Sequence, residues 1–246
     1  MASAERPTFL TKLRRIKYSI ASTGLRRGLA DTATLLLAYH PETDHSFDRP
    51  FKTDTAGSVQ PAQLGIEDAG VREQAILYLP SPPRVTRWML DNVGIDHRQF
   101  TFVDLGCGKG RVLLIASEYP FQKVLGVEIS PALTAIARRN IELYQPASRR
   151  CRDVEVRNAD ATALDFPHTP LLVHLYHPFE PSITQAVLRQ MEKSLDAWPR
   201  QVAIAYLMYT AALEPVEGVF ARFPWLKRKR YEQSVLGQYN WLFYSN

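Results

Sequence analysis

The sequence has only two cysteines, Cys107 and Cys151, and no long apolar run. Two cysteines cannot build the multi-bridge framework of a small secreted domain, so we expect a reducing compartment. The apolar run at residues 35–37 is far shorter than the roughly 20 residues that a membrane-spanning helix needs. Neither a secretory signal nor a metal-ligand pattern is visible. We therefore predict a cytoplasmic protein without a metal site.

The composition is that of a globular protein with enough apolar residues for a core. Hydrophobic residues make up 46% and charged residues 22% of the 246 residues, and the formal net charge is +5 at pH 7. Basic residues gather in two segments, 12–27 and 227–230. Such clusters either contact an acidic partner or face solvent, and both alternatives stay open.

The first 70 residues differ in pattern from the rest of the chain. Residues 9–38 have a helical pattern, in which Phe9, Leu13 and Ile16 share one face with basic residues between them. Such a helix packs on the domain, contacts an anionic membrane surface through residues 9–20, or directs the chain to an organelle. Residues 40–70 are rich in proline, glycine and polar residues. We predict an N-terminal helical and loop extension over residues 1–70 and one domain over residues 71–246.

From residue 71 onward, apolar runs alternate with helical patterns. Five predicted strands cover residues 100–105, 123–129, 153–158, 171–176 and 201–208. Two further runs, near 226–235 and 239–244, are separated only by Gly237 and its neighbours, which indicates a hairpin. This order predicts an α/β fold with a doubly wound, mainly parallel seven-stranded sheet and an antiparallel C-terminal hairpin.

A glycine-rich turn, residues 104–110 (DLGCGKG), follows the first predicted strand. In open α/β sheets, ligands bind beyond the carboxyl ends of the strands, and glycine lets the backbone approach them closely. The G-x-G-x-G spacing differs from the G-x-G-x-x-G fingerprint of dinucleotide-binding proteins. Asp104 would repel a pyrophosphate and favour a cation, such as the ammonium or sulfonium group of S-adenosylmethionine (SAM). Glu128, at the end of the second strand, can accept hydrogen bonds from a ribose diol.

Four segments resemble the motifs of class I SAM-dependent methyltransferases. Residues 102–112 resemble the first motif, Val127-Glu128-Ile129-Ser130 the second, and Asn158-Ala159-Asp160-Ala161 the adenine-contacting motif. Tyr176-His177-Pro178-Phe179 stands where the family often carries N/D-P-P-Y/F, and this sequence has a histidine and one proline there. The resemblance covers about residues 76–210. It implies a methyltransferase of this class with SAM as its cofactor.

A narrower resemblance is to a bacterial group of uncharacterised methyltransferases and to seven-strand protein lysine methyltransferases. In the lysine enzymes, a segment similar to Tyr78-Leu79-Pro80-Ser81-Pro82 closes over the methionine end of the cofactor. The resemblance implies that His177 and Phe179 face the nucleophile as catalytic residues. The predicted cofactor-binding residues are Tyr78, Ser81, Asp104, Gly106, Cys107, Gly108, Gly110, Glu128, Ile129, Asp160, Ala161 and Tyr176.

Several alternatives stay open at the level of sequence. The methyl acceptor is a protein lysine or another amine, a small molecule methylated on oxygen or nitrogen, or RNA, although no RNA-binding module is evident. Other classes are a non-catalytic SAM-binding protein, an NAD(P)-dependent oxidoreductase on a similar sheet, and a membrane-surface or nucleic-acid adaptor. His174, inside the fourth strand, is interpreted as a satisfied core residue, and Cys107 as a small residue packed under the loop.

Overall fold

A computed structural model of the chain describes residues 43–73, 75–209, 213–233 and 239–246. The predicted helix over residues 9–38 lies outside these ranges, with its suggested membrane contact, and so does the predicted turn at Gly237. Within the described ranges, no helix combines the length and apolar character that crossing a membrane requires. The predicted boundary between an extension and a domain at residue 71 stays a prediction.

The described residues form one seven-stranded mixed sheet. Its strands are β1 (Thr101–Leu105), β2 (Lys123–Glu128), β3 (Val154–Asn158), β4 (Leu171–Tyr176), β5 (Val202–Tyr209), β6 (Lys227–Gln233) and β7 (Tyr239–Ser245). The strand order is β3-β2-β1-β4-β5-β7-β6. Strands β1 to β5 pair in parallel, whereas β7 pairs antiparallel with both β5 and β6. The predicted sheet and its antiparallel C-terminal strands are confirmed.

The described α-helices are α1 (Ala69–Glu73), α2 (Pro83–Asn92), α3 (Arg111–Ala116), α4 (Pro131–Leu143), α5 (Pro181–Ala197) and α6 (Leu213–Phe220). Helices α3, α4 and α5 connect parallel strands, α1 and α2 precede β1, and α6 lies between β5 and β6. The start of helix α4 follows from its sequence, because the Ser130 side chain accepts a hydrogen bond from the backbone N–H of Leu133 and proline occupies the first turn. The sequence analysis did not predict helix α6, in which Gly218 disfavours a helix interior.

Each face of the sheet buries its own apolar core. Alternate residues of a strand point to opposite faces, so neighbouring strand residues enter different cores. Val103 of β1 packs with helices α5 and α6 on one face, through residues such as Met191 and Phe220. Phe102 packs on the other face with helices α2 and α3, among them Leu90 and Leu113. The sheet is therefore covered on both sides, as a doubly wound fold requires.

The residues before helix α2, which we call the leading segment (residues 43–73 and 75–82), are anchored to the sheet domain by buried polar contacts. Lys109 Nζ donates to Asp54 Oδ1 at 2.9 Å and to the carbonyl oxygen of Ala56 at 2.8 Å. The side-chain amide of Asn140 donates to the carbonyl oxygens of Asp54 and Lys109, both at 2.9 Å. The leading segment thus lies against the glycine-rich turn.

Arg111 makes the deepest of these contacts. Its side chain is 1% exposed, and its Nε donates to Thr55 Oγ1 at 2.7 Å. Its Nη2 lies 3.5 Å from the Asp48 carboxylate, and the Phe47 ring lies beneath the guanidinium. Asp48 also accepts hydrogen bonds from Thr55 and Ala56 backbone N–H groups. A buried charge pair therefore joins the leading segment to helix α3.

Candidate active site

The glycine-rich turn lies where the strand order reverses. The chain runs from β1 outward to β2 and β3, then returns to β4 on the other side of β1. Ligand sites of open α/β sheets form at this position, beyond the carboxyl ends of the strands. The topology therefore places the glycine-rich turn where a ligand is expected to bind.

Two glycines of the turn leave no room for a side chain. Gly106 has φ 74° and Gly108 has φ 54°, a region that other residues rarely adopt. A Cβ on Gly106 would lie 2.6 Å from Cβ of Pro178, and one on Gly108 would lie 2.2 Å from Cε2 of Tyr78. The bare backbone is thus needed both for the turn and for the close approach of its neighbours.

A cavity opens between this turn, the leading segment and the ends of β2 and β4. All but one of the predicted site residues line it: Tyr78, Ser81, Asp104, Gly106, Cys107, Gly108, Glu128, Ile129, Asp160, Ala161, Tyr176, His177 and Phe179. The exception is Gly110, which precedes helix α3 with φ 84° and packs toward Ala137. The individual roles of these residues stay predictions.

Glu128 connects the two loops that flank the cavity. Its Oε2 accepts a hydrogen bond from the Gly108 backbone N–H at 2.9 Å, and its Oε1 accepts one from the Ser130 N–H at 2.8 Å. Burial raises the pKa of Glu128, and these backbone donors act against that rise. The carboxylate is therefore held in one orientation at the end of β2, where a ribose diol can donate to it.

We expect binding of S-adenosylhomocysteine (SAH) to release a proton in acid solution. Ribose hydroxyls donate to an ionised carboxylate, so binding favours the ionised form of Glu128, whereas burial raises its pKa. The affinity should therefore weaken as pH falls through this raised pKa, by up to about tenfold per pH unit. Calorimetry in two buffers of different ionisation heat measures the released proton. Replacing the exposed Glu142 by glutamine should leave the profile unchanged, and a pH-independent affinity would contradict the assignment.

Asp104 is paired with a residue that the sequence analysis did not assign to the site. His174 Nδ1 lies 2.6 Å from Asp104 Oδ1, and the two residues are direct register partners on β1 and β4. The prediction that His174 is buried is correct, but it is not fully satisfied, since its Nε2 has no hydrogen-bond partner among the described residues. In the observed strands both residues stand fourth, but the predicted first strand, residues 100–105, places Asp104 fifth, so the sequence carries no clear signal of the pairing.

His177 follows β4 in a backbone conformation that is rare for a non-glycine residue. Its φ is 37°, and strain of this kind is found mainly at functional sites. Its Nδ1 lies 3.0 Å from the hydroxyl oxygen of Tyr206, a buried residue of β5. Burial lowers the pKa of His177, so the imidazole is neutral near pH 7. Sequence reasoning missed Tyr206, because only the β4–β5 pairing brings it beside His177.

Cys107 is buried under the turn. Burial raises the pKa of its thiol, and the nearby Glu128 carboxylate raises it further. Its Sγ would lie 2.7 Å from a Cβ placed on Gly126 of β2, so thiol and glycine pack against each other. A protonated, enclosed thiol is a poor nucleophile, which agrees with the packing interpretation.

The sequence matches one family model, described as a methyltransferase domain, over residues 102–197. A search of the curated proteins found no match. The matched range begins in β1 and ends with helix α5, so it includes the glycine-rich turn, Glu128 and the segment after β4.

Three solved structures share the fold. The ribosomal protein L11 methylase from Lactobacillus delbrueckii subsp. bulgaricus is 16% identical with a TM-score of 0.52, over 73% of this chain and 83% of that one. A SAM-dependent methyltransferase from Aquifex aeolicus is 13% identical with a TM-score of 0.52, over 76% and 98%. TrmN from Thermus thermophilus is 18% identical with a TM-score of 0.52, over 67% and 48%. At these identities the likeness shows the fold alone.

The domain match and the sheet together define a class I, Rossmann-like methyltransferase domain. The chain therefore contains a SAM-dependent methyltransferase domain, which confirms the class and the cofactor that the motifs predicted. The alternative of an NAD(P)-dependent oxidoreductase is set aside by the same match. The finer resemblances, to a bacterial group and to protein lysine methyltransferases, stay predictions.

The residues of the cavity fit the cofactor. Gly106 and Gly108 line the cavity, and their missing side chains let Pro178 and Tyr78 pack closely against the turn. Asp104 supplies a buried acid beside it, and Glu128 supplies an oriented carboxylate at the end of β2. Bare backbone, an acid for an ammonium group and an acceptor for a ribose diol are the groups that SAM requires.

Proposed function

We propose that this enzyme methylates an amine nitrogen, with a protein lysine side chain as the preferred acceptor. The observation that carries the proposal is the state of His177. It is half-buried, strained, hydrogen-bonded to Tyr206 and kept neutral by a lowered pKa, and it lines the same cavity as the glycine-rich turn. A neutral imidazole can accept a hydrogen bond or a proton from an amine, which suits a nitrogen acceptor.

In this proposal His177 and Phe179 have separate roles in methyl transfer. When bound, SAM supplies a sulfonium methyl group, whose transfer forms an N–CH₃ bond and leaves the S–CH₃ electron pair on a neutral thioether. His177 accepts the proton that the acceptor nitrogen gives up and returns it to solvent. Phe179 provides an apolar wall beside the acceptor. The protein otherwise aligns the two reactants and excludes water.

We further propose how the cofactor would be held. Asp104, Gly106 and Gly108 would contact its amino-acid end, Glu128 its ribose, and Asp160 with Ala161 its adenine. Asp160 already accepts a hydrogen bond from the Thr162 backbone N–H at 2.8 Å, which fixes its carboxylate. Tyr78, Ser81 and Tyr176 would complete the pocket, Cys107 and Ile129 would contribute through contact with the turn and the end of β2, and Gly110 would act by beginning helix α3.

Transfer of a tritiated methyl group to a cell extract cleared of endogenous SAM tests the acceptor class. We expect acid-precipitable label that protease removes and nuclease does not, with methyllysine recovered after hydrolysis. Label that nuclease removes would replace the protein acceptor by RNA, and label lost on dialysis would replace it by a small molecule. Ribosomal proteins belong among the purified substrates, because one solved neighbour is named as a ribosomal protein methylase.

Replacing His177 by alanine should lower the turnover rate about 10² to 10⁴-fold, the usual contribution of a positioned acid or base. The affinity for SAH should change little, because this residue is assigned to the acceptor. In the unmodified enzyme, turnover should fall only below pH 6.5, the ordinary pKa of histidine, since burial lowers the pKa and a base must be neutral. The pH profile of the turnover rate, measured with the acceptor that the extract identifies, checks both statements.

The control for this variant is His168→Gln. His168 stacks on the exposed Trp198, and it is not among the residues that line the cavity. Full turnover by His177→Ala at neutral pH would eliminate the role as a base, whereas equal losses in both variants would indicate a general effect on the fold.

A further inference from the structure

The buried pair of Asp104 and His174 is the polar feature of the cavity that the roles above leave unexplained. Their side chains are 4% and 1% exposed, and the imidazole ring lies between Phe102 and Trp241. Both residues line the cavity. Two buried hydrophobic residues would stabilise the sheet at least as well as such a pair, so stability alone does not account for it.

The hydrogen-bonding capacities of the two groups fix which ring nitrogen faces the carboxylate. An ionised carboxylate only accepts, so the hydrogen of the 2.6 Å contact with Asp104 belongs to Nδ1 of His174. Nε2 is buried and has no hydrogen-bond partner in the described ranges. The ring therefore donates through Nδ1 and orients the Asp104 carboxylate.

The contact with His174 uses only one of the two carboxylate oxygens of Asp104. Oδ1 of Asp104 is held by the ring, and the hydrogen bonds among the described residues leave Oδ2 open. Register pairing keeps β1 and β4 together at this point, so the ring and the carboxylate cannot shift independently. A fixed carboxylate oxygen at the edge of the cavity is suited to a substituted ammonium ion.

We propose that His174 is the positioning residue for the amino-acid end of the cofactor: it holds Oδ1 of Asp104 so that Oδ2 receives the α-ammonium group. This inference rests on the proposed contact between Asp104 and that end of SAM. It goes beyond that contact by assigning the selectivity for the amino-acid end to a second residue, one that lies on a different strand and outside the motifs.

Two ligands separate this role from a merely structural one. SAH carries the α-ammonium group, whereas 5′-methylthioadenosine has the same nucleoside and thioether but no amino-acid end. We expect His174→Gln to weaken SAH binding about tenfold and to change methylthioadenosine binding less than about twofold. His174→Asn should retain the preference for SAH, because an asparagine amide nitrogen occupies the position of Nδ1 and a glutamine amide that of Nε2.

Calorimetry on the full chain, with thermal unfolding of each variant, gives the readout. In an Asp104→Asn background the His174→Gln replacement should have no further effect on SAH binding, since the carboxylate that it orients is gone. Equal losses for both ligands, an unchanged SAH affinity in His174→Gln, or a failure of His174→Asn to retain the preference would each overturn the proposal. Absence of SAH binding in the unmodified chain would instead refute the placement of the cofactor.

Discussion

Gly108→Ala should weaken SAH binding at least about 100-fold, which corresponds to about 2.7 kcal/mol. The new methyl group would lie 2.2 Å from Cε2 of Tyr78, and alanine disfavours the φ of 54° that the turn adopts there. Tyr78 cannot easily move away, because its hydroxyl donates to the Thr55 carbonyl oxygen at 2.8 Å and its backbone pairs with Val59. Either the turn or the leading segment must therefore be displaced. Isothermal calorimetry with SAH measures the loss.

A matched glycine serves as the control. Gly218 lies in helix α6, where an added Cβ meets nothing within 4 Å, so Gly218→Ala should leave SAH binding unchanged and the fold at least as stable. Combining Gly108→Ala with Tyr78→Ala removes the clash but keeps the strained φ, so it should recover no more than part of the affinity. Binding by Gly108→Ala equal to that of the unmodified chain would contradict the assignment of the turn.

Arg111→Met should lower the free energy of unfolding by about 3 kcal/mol, the usual cost of removing one partner of a buried charge pair. The guanidinium contacts Thr55, the Asp48 carboxylate and the carbonyl oxygen of Ser81. Methionine fills similar space but leaves the Asp48 carboxylate, 6% exposed, without its cation. Urea unfolding followed by circular dichroism gives the change in free energy.

Two comparisons separate the effect of the Arg111–Asp48 charge pair from a general effect on stability. Arg139→Met removes an exposed arginine, 66% exposed and paired with Glu142 along helix α4, and should cost less than about 0.5 kcal/mol. In the Asp48→Asn background, Arg111→Met should cost less than it does alone, because no buried charge is then left unpaired. A loss no larger than that of Arg139→Met would show that Arg111 does not anchor the leading segment.

The sheet could be predicted closely because each of its parallel strands has a local sequence pattern. The five parallel strands begin and end within one residue of the predicted ranges. Four are short apolar runs, β3 alternates apolar and polar residues, and β1, β2 and β4 lead directly into a motif. The start of helix α4 also has a local signal, a serine cap followed by proline. Helix α6 has a weaker one, because Gly218 disfavours a helix interior and burial of Val216 and Phe220 against the core offsets that preference.

Some residues of the candidate site likewise have a local sequence signal, whereas others do not. The turn, Glu128 and His177 lie in local motifs, and the structure brings them to one cavity. His174 and Tyr206 contact Asp104 and His177 only because of strand pairing, and a linear sequence does not state which strands are neighbours. The contacts of Arg111 with Thr55 and Asp48 join residues that are more than 50 positions apart, so no periodicity signals them.

The central claim is that an acid beside a bare-backbone turn makes this cavity specific for an adenosyl amino acid. Parallel calorimetric titrations of the folded chain with SAH and with NADH test it most directly. We predict saturable binding of one SAH per chain and no heat of binding from NADH. Saturable uptake of NADH with no response to SAH would contradict the claim.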